Sequence, residues 1–181
     1  MEKHLIQLVT ITLLFFSPCS VFAQENTSTT NADASWVPFT EGNWPTTPTL
    51  AMFIAVPVAI TIYGTVTWDW GSQKNPHFGD EGFFGKNTYS GGADKLGHAF
   101  SHYVMFRALY NYYDWSENGK STRWFYSITT ASFVGILIEV GDAFTGEYGF
   151  SYEDVVSDMT GIGLGILLEY SPTLDSLIGF S

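Results

Sequence analysis

A carboxylate in the middle of an apolar run is the feature that most constrains this chain. Glu139 lies within Phe133–Asp142, a segment that otherwise consists almost entirely of Val, Ile, Leu and Gly. A charge in such a run is unfavourable unless it is paired, protonated or bound to a cation. Two other segments, 94–98 and 154–158, carry ionisable side chains at the border of an apolar stretch. We therefore predict that the three segments form one site.

The N-terminus has the pattern of an export signal. Lys3 precedes an apolar stretch at 5–16, and small or aliphatic residues stand at the positions that a signal peptidase recognises. We predict a signal peptide at residues 1–23, with an uncleaved anchor helix as the alternative. The mature protein is then expected in the cell envelope, at the inner membrane. A periplasmic or outer-membrane-attached location is the alternative.

The chain has one cysteine, Cys19, inside the predicted signal. A lipid-modified cysteine normally follows small residues, so Pro18 argues against a lipoprotein. Cleavage after Ala23 leaves a mature chain without a thiol, which excludes disulfides, thiolate catalysis and cysteine metal sites.

The formal net charge is −11, from 18 acidic and 7 basic side chains. No basic cluster is present in the sequence. This excludes nucleic acid and anionic lipid headgroups as partners bound through charge. The predicted partner is membrane lipid in contact with apolar helices, and the sequence does not identify a protein partner.

The first long apolar stretch follows a segment at 24–48 that is rich in Thr, Asn, Ser and Pro and is predicted to be a flexible leader. From Thr49 to Trp68 there is no formal charge. As a helix this stretch would cover about 30 Å, the thickness of a bilayer core. We predict a membrane-inserted helix. A core helix of a soluble bundle is the alternative, and Pro57 in the middle disfavours both.

Three further helices follow a loop that is rich in Gly and aromatic residues. Periodicity and turn residues place these helices at about 94–115, 121–144 and 152–170, and Pro172 ends the last one. Strand patterns are absent from the sequence. We predict an all-α antiparallel bundle of about four helices, membrane-inserted, at residues 49–172, with a C-terminal tail at 173–181.

In such a bundle the start of the second helix, the end of the third and the start of the fourth lie at the same end. Ionisable side chains occur at these three places, with spacings of three and four residues that put them on one face of each helix. Gly161 and Gly165 form a small-xxx-small pair that lets helices approach closely. The predicted site contains Asp94, Lys95, His98, Glu139, Asp142, Asp154 and Asp158.

Several of these residues also have a structural interpretation. Asp94 can be a helix cap, and Asp154 with Ser151 fits a capping box. The best structural explanation of Glu139 is an ion pair with Lys95.

Five carboxylates against one lysine and one histidine cannot all stay ionised in a small, partly dehydrated volume. Either some of them hold protons, as general acid–base groups do, or a cation binds among them. A divalent metal is therefore predicted as one option, with Zn, Mn, Fe and Mg all compatible. Its predicted ligands are His98, Glu139, Asp142 and Asp158, whereas His102 is predicted to pack or to support the site from behind.

The same residues carry a resemblance to a known family. The stretches 75–80, 93–103, 138–145 and 147–161 resemble the YfiM-like domain of unknown function, whose members are called predicted periplasmic lipoproteins. The order Asp-Lys-x-x-His, a late acidic residue and Ser-x-x-Asp is more distantly similar to VanZ-like membrane proteins. The resemblance implies an envelope protein without an established activity, and Cys19 departs from it. Its signature residues here are Asp94, Lys95, His98, Glu139, Asp142, Ser151, Asp154 and Asp158.

Two functions are compatible with these observations. The first is an envelope enzyme that acts on a lipid or cell-wall precursor by hydrolysis or group transfer, with Glu139, His98, Asp158 and Lys95 as catalytic residues. The second is a non-catalytic envelope or scaffold protein in which buried ion pairs set the helix register. The sequence does not choose between them.

Overall fold

The structure is a computed structural model, and it describes residues 44–79, 82–84 and 89–178. The predicted signal peptide with Cys19 and most of the predicted leader lie outside the described residues. The same holds for 179–181 in the predicted tail.

Five α-helices and one 3₁₀ turn make up the described part of the chain. They are α1 (Thr47–Thr67), the 3₁₀ turn (Tyr89–Gly92), α2 (Ala93–Trp115), α3 (Lys120–Asp142), α4 (Tyr152–Tyr170) and α5 (Pro172–Ile178). The predicted all-α fold is confirmed, and the four predicted helices correspond to α1–α4. The short helix α5 lies in the segment predicted to be a tail. Pro172 cannot continue α4, but its fixed backbone angle suits the first position of a new helix.

Local signals explain two of the helix boundaries. Ser151 precedes α4, and its Oγ accepts a hydrogen bond from the backbone N–H of Asp154 at 3.2 Å, as the capping pattern predicts. Between α2 and α3, the buried amide of Asn118 donates to the carbonyl oxygen of Tyr113 at 2.8 Å and to Thr49 Oγ1 of α1 at 2.5 Å. The turn thus joins the end of α2 to the start of α1.

Small residues on α4 let α2 pack closely against it. A β-carbon at Gly161 would lie 1.9 Å from the carbonyl oxygen of Ala99, and one at Gly165 would lie 2.5 Å from Cδ1 of Phe106. A larger residue at either position would require α2 to move. The small-xxx-small contact predicted from the sequence is therefore present, and it holds the starts of α2 and α4 side by side.

The hydrophobic core fills the half of the bundle that lies away from the ionisable residues. Its aromatic members come from the second half of α2 and the first half of α3, and the rings of Phe106 and Trp124 have centroids 5.9 Å apart. The buried cluster consists of Phe106, Leu109, Tyr113, Trp124, Tyr126, Ala131 and Ile162. Because these large side chains occupy one half, the polar groups on the same helices are left to the other half.

Helix α1 packs on α3 but keeps most of its apolar surface exposed, including Ile54, Ile62 and Val66. In the described part of the chain, α1 and α3 are long and apolar enough to cross a membrane, judged by length and composition alone. The apolar window of α1 is 17% buried and that of α3 is 56% buried, so α3 has the burial of a core helix. The membrane insertion predicted for α1 stays a prediction.

Trp70 lies between α1 and α3 at the end where the ionisable residues occur. Its ring occupies the space that β-carbons on Gly64 and Gly141 would need, since such atoms would lie 2.3 and 2.2 Å from it. The indole is buried, and its Nε1–H donates to Asp142 Oδ1 at 2.7 Å. The loop after α1 is thereby anchored to the end of α3.

The loop that follows Trp70 also pairs with the loop before α4. The backbone N–H of Gly79 donates to Phe150, the N–H of Phe150 donates to His77, and both bonds are 2.9 Å long. Phe78 and Phe150 form an isolated parallel bridge. These contacts place both loops at the end of the bundle where the candidate site lies.

Candidate functional site

Ionisable side chains from the starts of α2 and α4 meet at one end of the bundle. Helix α2 supplies Asp94, Lys95 and His98, and α4 supplies Asp154 and Asp158. The glycine contact between the two helices brings these side chains within bonding distance of one another. Five of the seven residues in the predicted site therefore form one contact network.

The buried centre of the network is a carboxylate between two imidazoles. Asp158 Oδ1 lies 2.9 Å from His98 Nδ1 and 2.7 Å from His102 Nδ1. Asp158 and His102 are almost completely buried, whereas the His98 side chain is 20% exposed. Since a carboxylate orients an imidazole by accepting its N–H, Asp158 orients both histidine rings through their Nδ1 atoms.

The contacts shift the pKa values of Asp158 and His98. Burial acts to raise the pKa of Asp158, but hydrogen bonds from His102 and His98 outweigh it and hold this pKa below its usual range. Burial acts to lower the pKa of His98, but the hydrogen bond to Asp158 and the nearby carboxylate charges raise it to about 9. With protein groups alone, the pair is therefore an ionised carboxylate and a protonated imidazole at neutral pH.

Lys95 links the two helices by ion pairs. Its Nζ lies 2.8 Å from Asp154 Oδ1 and 3.1 Å from Asp94 Oδ2, and the lysine side chain is 2% exposed. The Asp154 side chain is 6% exposed, so this pair is buried, whereas Asp94 is 29% exposed. The charge of Lys95 therefore compensates Asp154 in the interior and Asp94 at the border.

Glu139 reaches the start of α4 rather than the imidazoles. Its Oε2 accepts the backbone N–H of Ser151 at 2.9 Å, and its Oε1 has no hydrogen-bond partner among the described residues. Burial raises the pKa of Glu139 to about 8, against the opposing effect of the Ser151 N–H. The structure thus places this carboxylate behind the α4 cap, close enough to the network for its charge to raise the pKa of His98.

Asp142 lies at the end of α3, where Trp70 donates to it. Its carboxylate therefore has a structural partner that the sequence did not predict. Asp142 also lines the cleft described below, so it remains next to the network.

A cleft of about 560 Å³ opens onto the network. Of the network residues, His98 and Asp94 are partly accessible from the cleft, whereas Asp158 is buried behind them. Apolar side chains from α1, α2 and α3 line the cleft as well. The lining residues include the polar Asp94, His98, His102, Asp142, Glu147 and Asp154 and the apolar Ile60, Trp68, Met105 and Ile138.

Two groups of side chains in the described residues have the spacing of metal ligands. One is His98, His102 and Asp158, and the other is Asp94, His98 and Asp154, with ligand atoms within 4.8 Å of one another in each group. Of the four ligands predicted from the sequence, His98 and Asp158 belong to the first group. Glu139 and Asp142 belong to neither, because their oxygens face the α4 cap and the Trp70 indole.

His102, predicted from the sequence only to pack or to support the site from behind, stands four residues after His98 and eight after Asp94. That spacing puts the three on one helix face, which was the available signal. No local signal pointed to Trp70, because its partner is 72 residues away in the sequence.

Comparison with known proteins identifies the family. A family model described as predicted periplasmic lipoprotein (DUF2279) matches residues 80–170, which include all of α2, α3 and α4. No curated protein matches the chain, and no solved structure matches it either. The description supports export to the cell envelope, while the YfiM-like and VanZ-like names stay predictions. Because this family model covers half of the chain, the chain belongs to the predicted periplasmic lipoprotein family DUF2279.

Proposed function

We propose that this envelope protein binds an amphipathic molecule, a lipid or a lipid-linked cell-wall precursor, and acts on its polar end by hydrolysis or group transfer. The observation that carries the proposal is the mixed lining of the cleft. Histidine and carboxylates line it together with the apolar side chains of Ile60, Trp68, Met105 and Ile138. Such a cleft fits a molecule with a polar head and an apolar tail.

His98 is the residue that would contact the polar head. Asp158 holds its Nδ1 at 2.9 Å, and its Nε2 lies 3.9 Å from Asp94 and 4.0 Å from Asp154, too far for a hydrogen bond. A substrate oxygen can therefore take up the free hydrogen-bonding position of Nε2. Asp158 acts as the positioning residue in this arrangement. Lys95 and Glu139, predicted as catalytic from the sequence, support the walls of the site.

The same proposal places the protein at the inner membrane with α1 in the lipid. Exposed apolar side chains such as Ile54 and Val66 support this placement, since water would hydrate them unfavourably. Ile60 of α1 lines the cleft, so a lipid could enter it from the bilayer. Wild-type protein that stays in solution without detergent and does not bind to liposomes would contradict the placement.

The test uses the full chain purified in detergent micelles. Wild type and His98→Gln are incubated with phospholipids and with a lipid-linked cell-wall precursor, and products are measured by mass spectrometry. Asp175→Asn is the matched control, because it removes a carboxylate from the ion pair with Arg107 outside the cleft. We expect His98→Gln to slow turnover on the order of 100-fold or more. Asp175→Asn should react like wild type.

Two results would contradict the enzyme proposal: no turnover by wild type, or equal turnover by His98→Gln. Glu139→Gln tests a residue that is predicted to be catalytic from the sequence. Since an amide oxygen can still accept the Ser151 N–H, this variant should keep both its fold and most of its turnover if Glu139 only supports the α4 cap.

A scaffold without catalysis is the second candidate function. The observation that favours it is the buried pair of Lys95 and Asp154, which joins α2 to α4 and would set their register whether or not a substrate binds. Strong energetic coupling between these two residues, together with an inactive wild type, would favour this candidate.

A further inference from the structure

We propose that His98, His102 and Asp158 form a binding site for one divalent transition-metal ion. The site is independent of the proposed substrate, because its ligands are protein atoms and its test requires no turnover. Two nitrogen ligands and one carboxylate are the donor set that Zn²⁺, Fe²⁺ and Mn²⁺ use in proteins.

The first observation is the convergence of the three side chains. One possible ligand atom from each lies within 4.8 Å of the others. Around an ion with bonds of about 2.0–2.2 Å, two ligand atoms stand up to about 4.4 Å apart. Small side-chain shifts would therefore bring all three residues into contact with one ion.

The second observation is a pair of buried atoms without partners. His102 Nε2 and Asp158 Oδ2 have no hydrogen-bond partner among the described residues, and both side chains are at most 1% exposed. They point to the same place, since a β-carbon on Gly135 would lie 2.7 Å from Asp158 Oδ2 and 3.0 Å from His102 Nε2. The missing β-carbon lets both atoms approach the α3 backbone.

The chemistry of these two atoms favours a cation. His102 Nδ1 lies next to two acceptors, Asp158 Oδ1 at 2.7 Å and the carbonyl oxygen of His98 at 3.2 Å, so a ring N–H is best placed at Nδ1. Nε2 then presents a lone pair, and Asp158 Oδ2 presents another. Two buried lone pairs that converge without a donor are unfavourable, and a metal ion would satisfy both.

The neighbouring charges point the same way. Five carboxylates lie in or beside the network, those of Asp94, Glu139, Asp142, Asp154 and Asp158, and Lys95 is the only lysine in it among the described residues. A divalent cation next to Asp158 would reduce this excess of negative charge. His98 would bind the ion through Nδ1, releasing the proton that Nδ1 shares with Asp158 Oδ1, and its Nε2 would still face the cleft.

The test measures metal binding by the full chain in detergent, after chelation and removal of the chelator. Zn²⁺ is added, unbound ion is removed by gel filtration, and bound metal is counted by mass spectrometry. Calorimetry gives the affinity. We expect one Zn²⁺ per wild-type chain and a rise of melting temperature on binding.

His102→Asn is the first variant, because its amide can still donate to Asp158 from near the Nδ1 position but has no atom at Nε2. Gly135→Ala is the second, because its methyl group displaces the two converging atoms. Both should weaken Zn²⁺ binding on the order of 100-fold or more. Gly163→Ala is the matched control, since a β-carbon there meets nothing within 4 Å, and it should bind like wild type.

A wild type that retains no Zn²⁺, Fe²⁺ or Mn²⁺ would overturn the proposal, whatever the variants do. A folded His102→Asn variant that binds Zn²⁺ as tightly as wild type would also overturn it. A water molecule between His102 Nε2 and Asp158 Oδ2 would then explain why neither atom has a protein partner. If circular dichroism shows that one of the two variants is unfolded, Zn²⁺ binding by the other variant decides the test. Metal binding without lipid turnover would remove the proposed enzyme function and leave this site in place.

Discussion

Replacing Lys95 with methionine should destabilise the fold strongly, because it removes the cation nearest to the buried Asp154 carboxylate. At the 2.8 Å separation of Nζ and Oδ1, the attraction is about 6 kcal/mol at an effective dielectric constant of about 20. Removing the buried ammonium also removes its dehydration penalty. The expected loss in the free energy of unfolding is therefore smaller, roughly 3–5 kcal/mol.

The double-mutant cycle separates the pair from its surroundings. Asp154→Asn alone should lose roughly 2–4 kcal/mol, because it leaves Lys95 buried with only the partly exposed Asp94 as a carboxylate partner among the contacts described above. The double variant Lys95→Met with Asp154→Asn should regain part of both losses, with a coupling of roughly 2–3 kcal/mol. Unfolding by urea, followed by circular dichroism in one detergent, gives all four free energies.

Arg123→Met is the matched control, because the partner of this arginine, Asp114, is 61% exposed. Such a surface pair should contribute less than about 1 kcal/mol. The reasoning is refuted if Lys95→Met loses no more than the control, or if the two single losses simply add. Either result would also mean that the pair of Lys95 and Asp154 does not set the register of α2 and α4, and the scaffold function would lose its support.

Three further predictions concern the framework of the site. Gly161→Ala should prevent the close packing of α2 on α4 and lower the melting temperature severely, whereas Gly163→Ala, in open space, should raise stability by about 0.5–1 kcal/mol, as thermal unfolding will show. Trp70→Phe should lose about 1–3 kcal/mol in urea unfolding, because Asp142 loses its indole donor, and a loss below about 0.5 kcal/mol would contradict this role. Burial raises the pKa of Tyr113 to about 12, whereas an unfolded tyrosine has a pKa of about 10. The stability linked to this shift is therefore complete below about pH 10 and is lost as the pH rises towards 12. Tyr113→Phe should remove this part of the alkaline loss, and an unchanged pH profile would contradict the assignment.

The helices could be predicted because their signals are local. Apolar periodicity, the Ser151 cap, and Pro172 after the last long helix placed the boundaries of α1–α4 within about two residues. The glycine stripe of α4 predicted close packing, and Gly161 against Ala99 shows it. Short connections then required the ends that carry the carboxylates to lie together.

The membrane question shows the limit of composition as evidence. Helices α1 and α3 are both long and apolar enough to span a bilayer, but burial distinguishes them. Whether a neighbouring helix covers an apolar helix depends on the packing of the whole bundle. The sequence of that helix does not contain this information.

The sequence by itself determined that this chain forms a helical bundle with acidic groups collected at one end, because helix formation and side-chain spacing depend on neighbours a few residues away. Only the tertiary structure decided which atoms meet. Glu139 binds the Ser151 N–H, Asp142 binds Trp70, and His102 shares Asp158 with His98. A hydrogen bond requires its atoms to be placed within a few tenths of an ångström. Between residues far apart in the chain, that placement follows from how the helices pack.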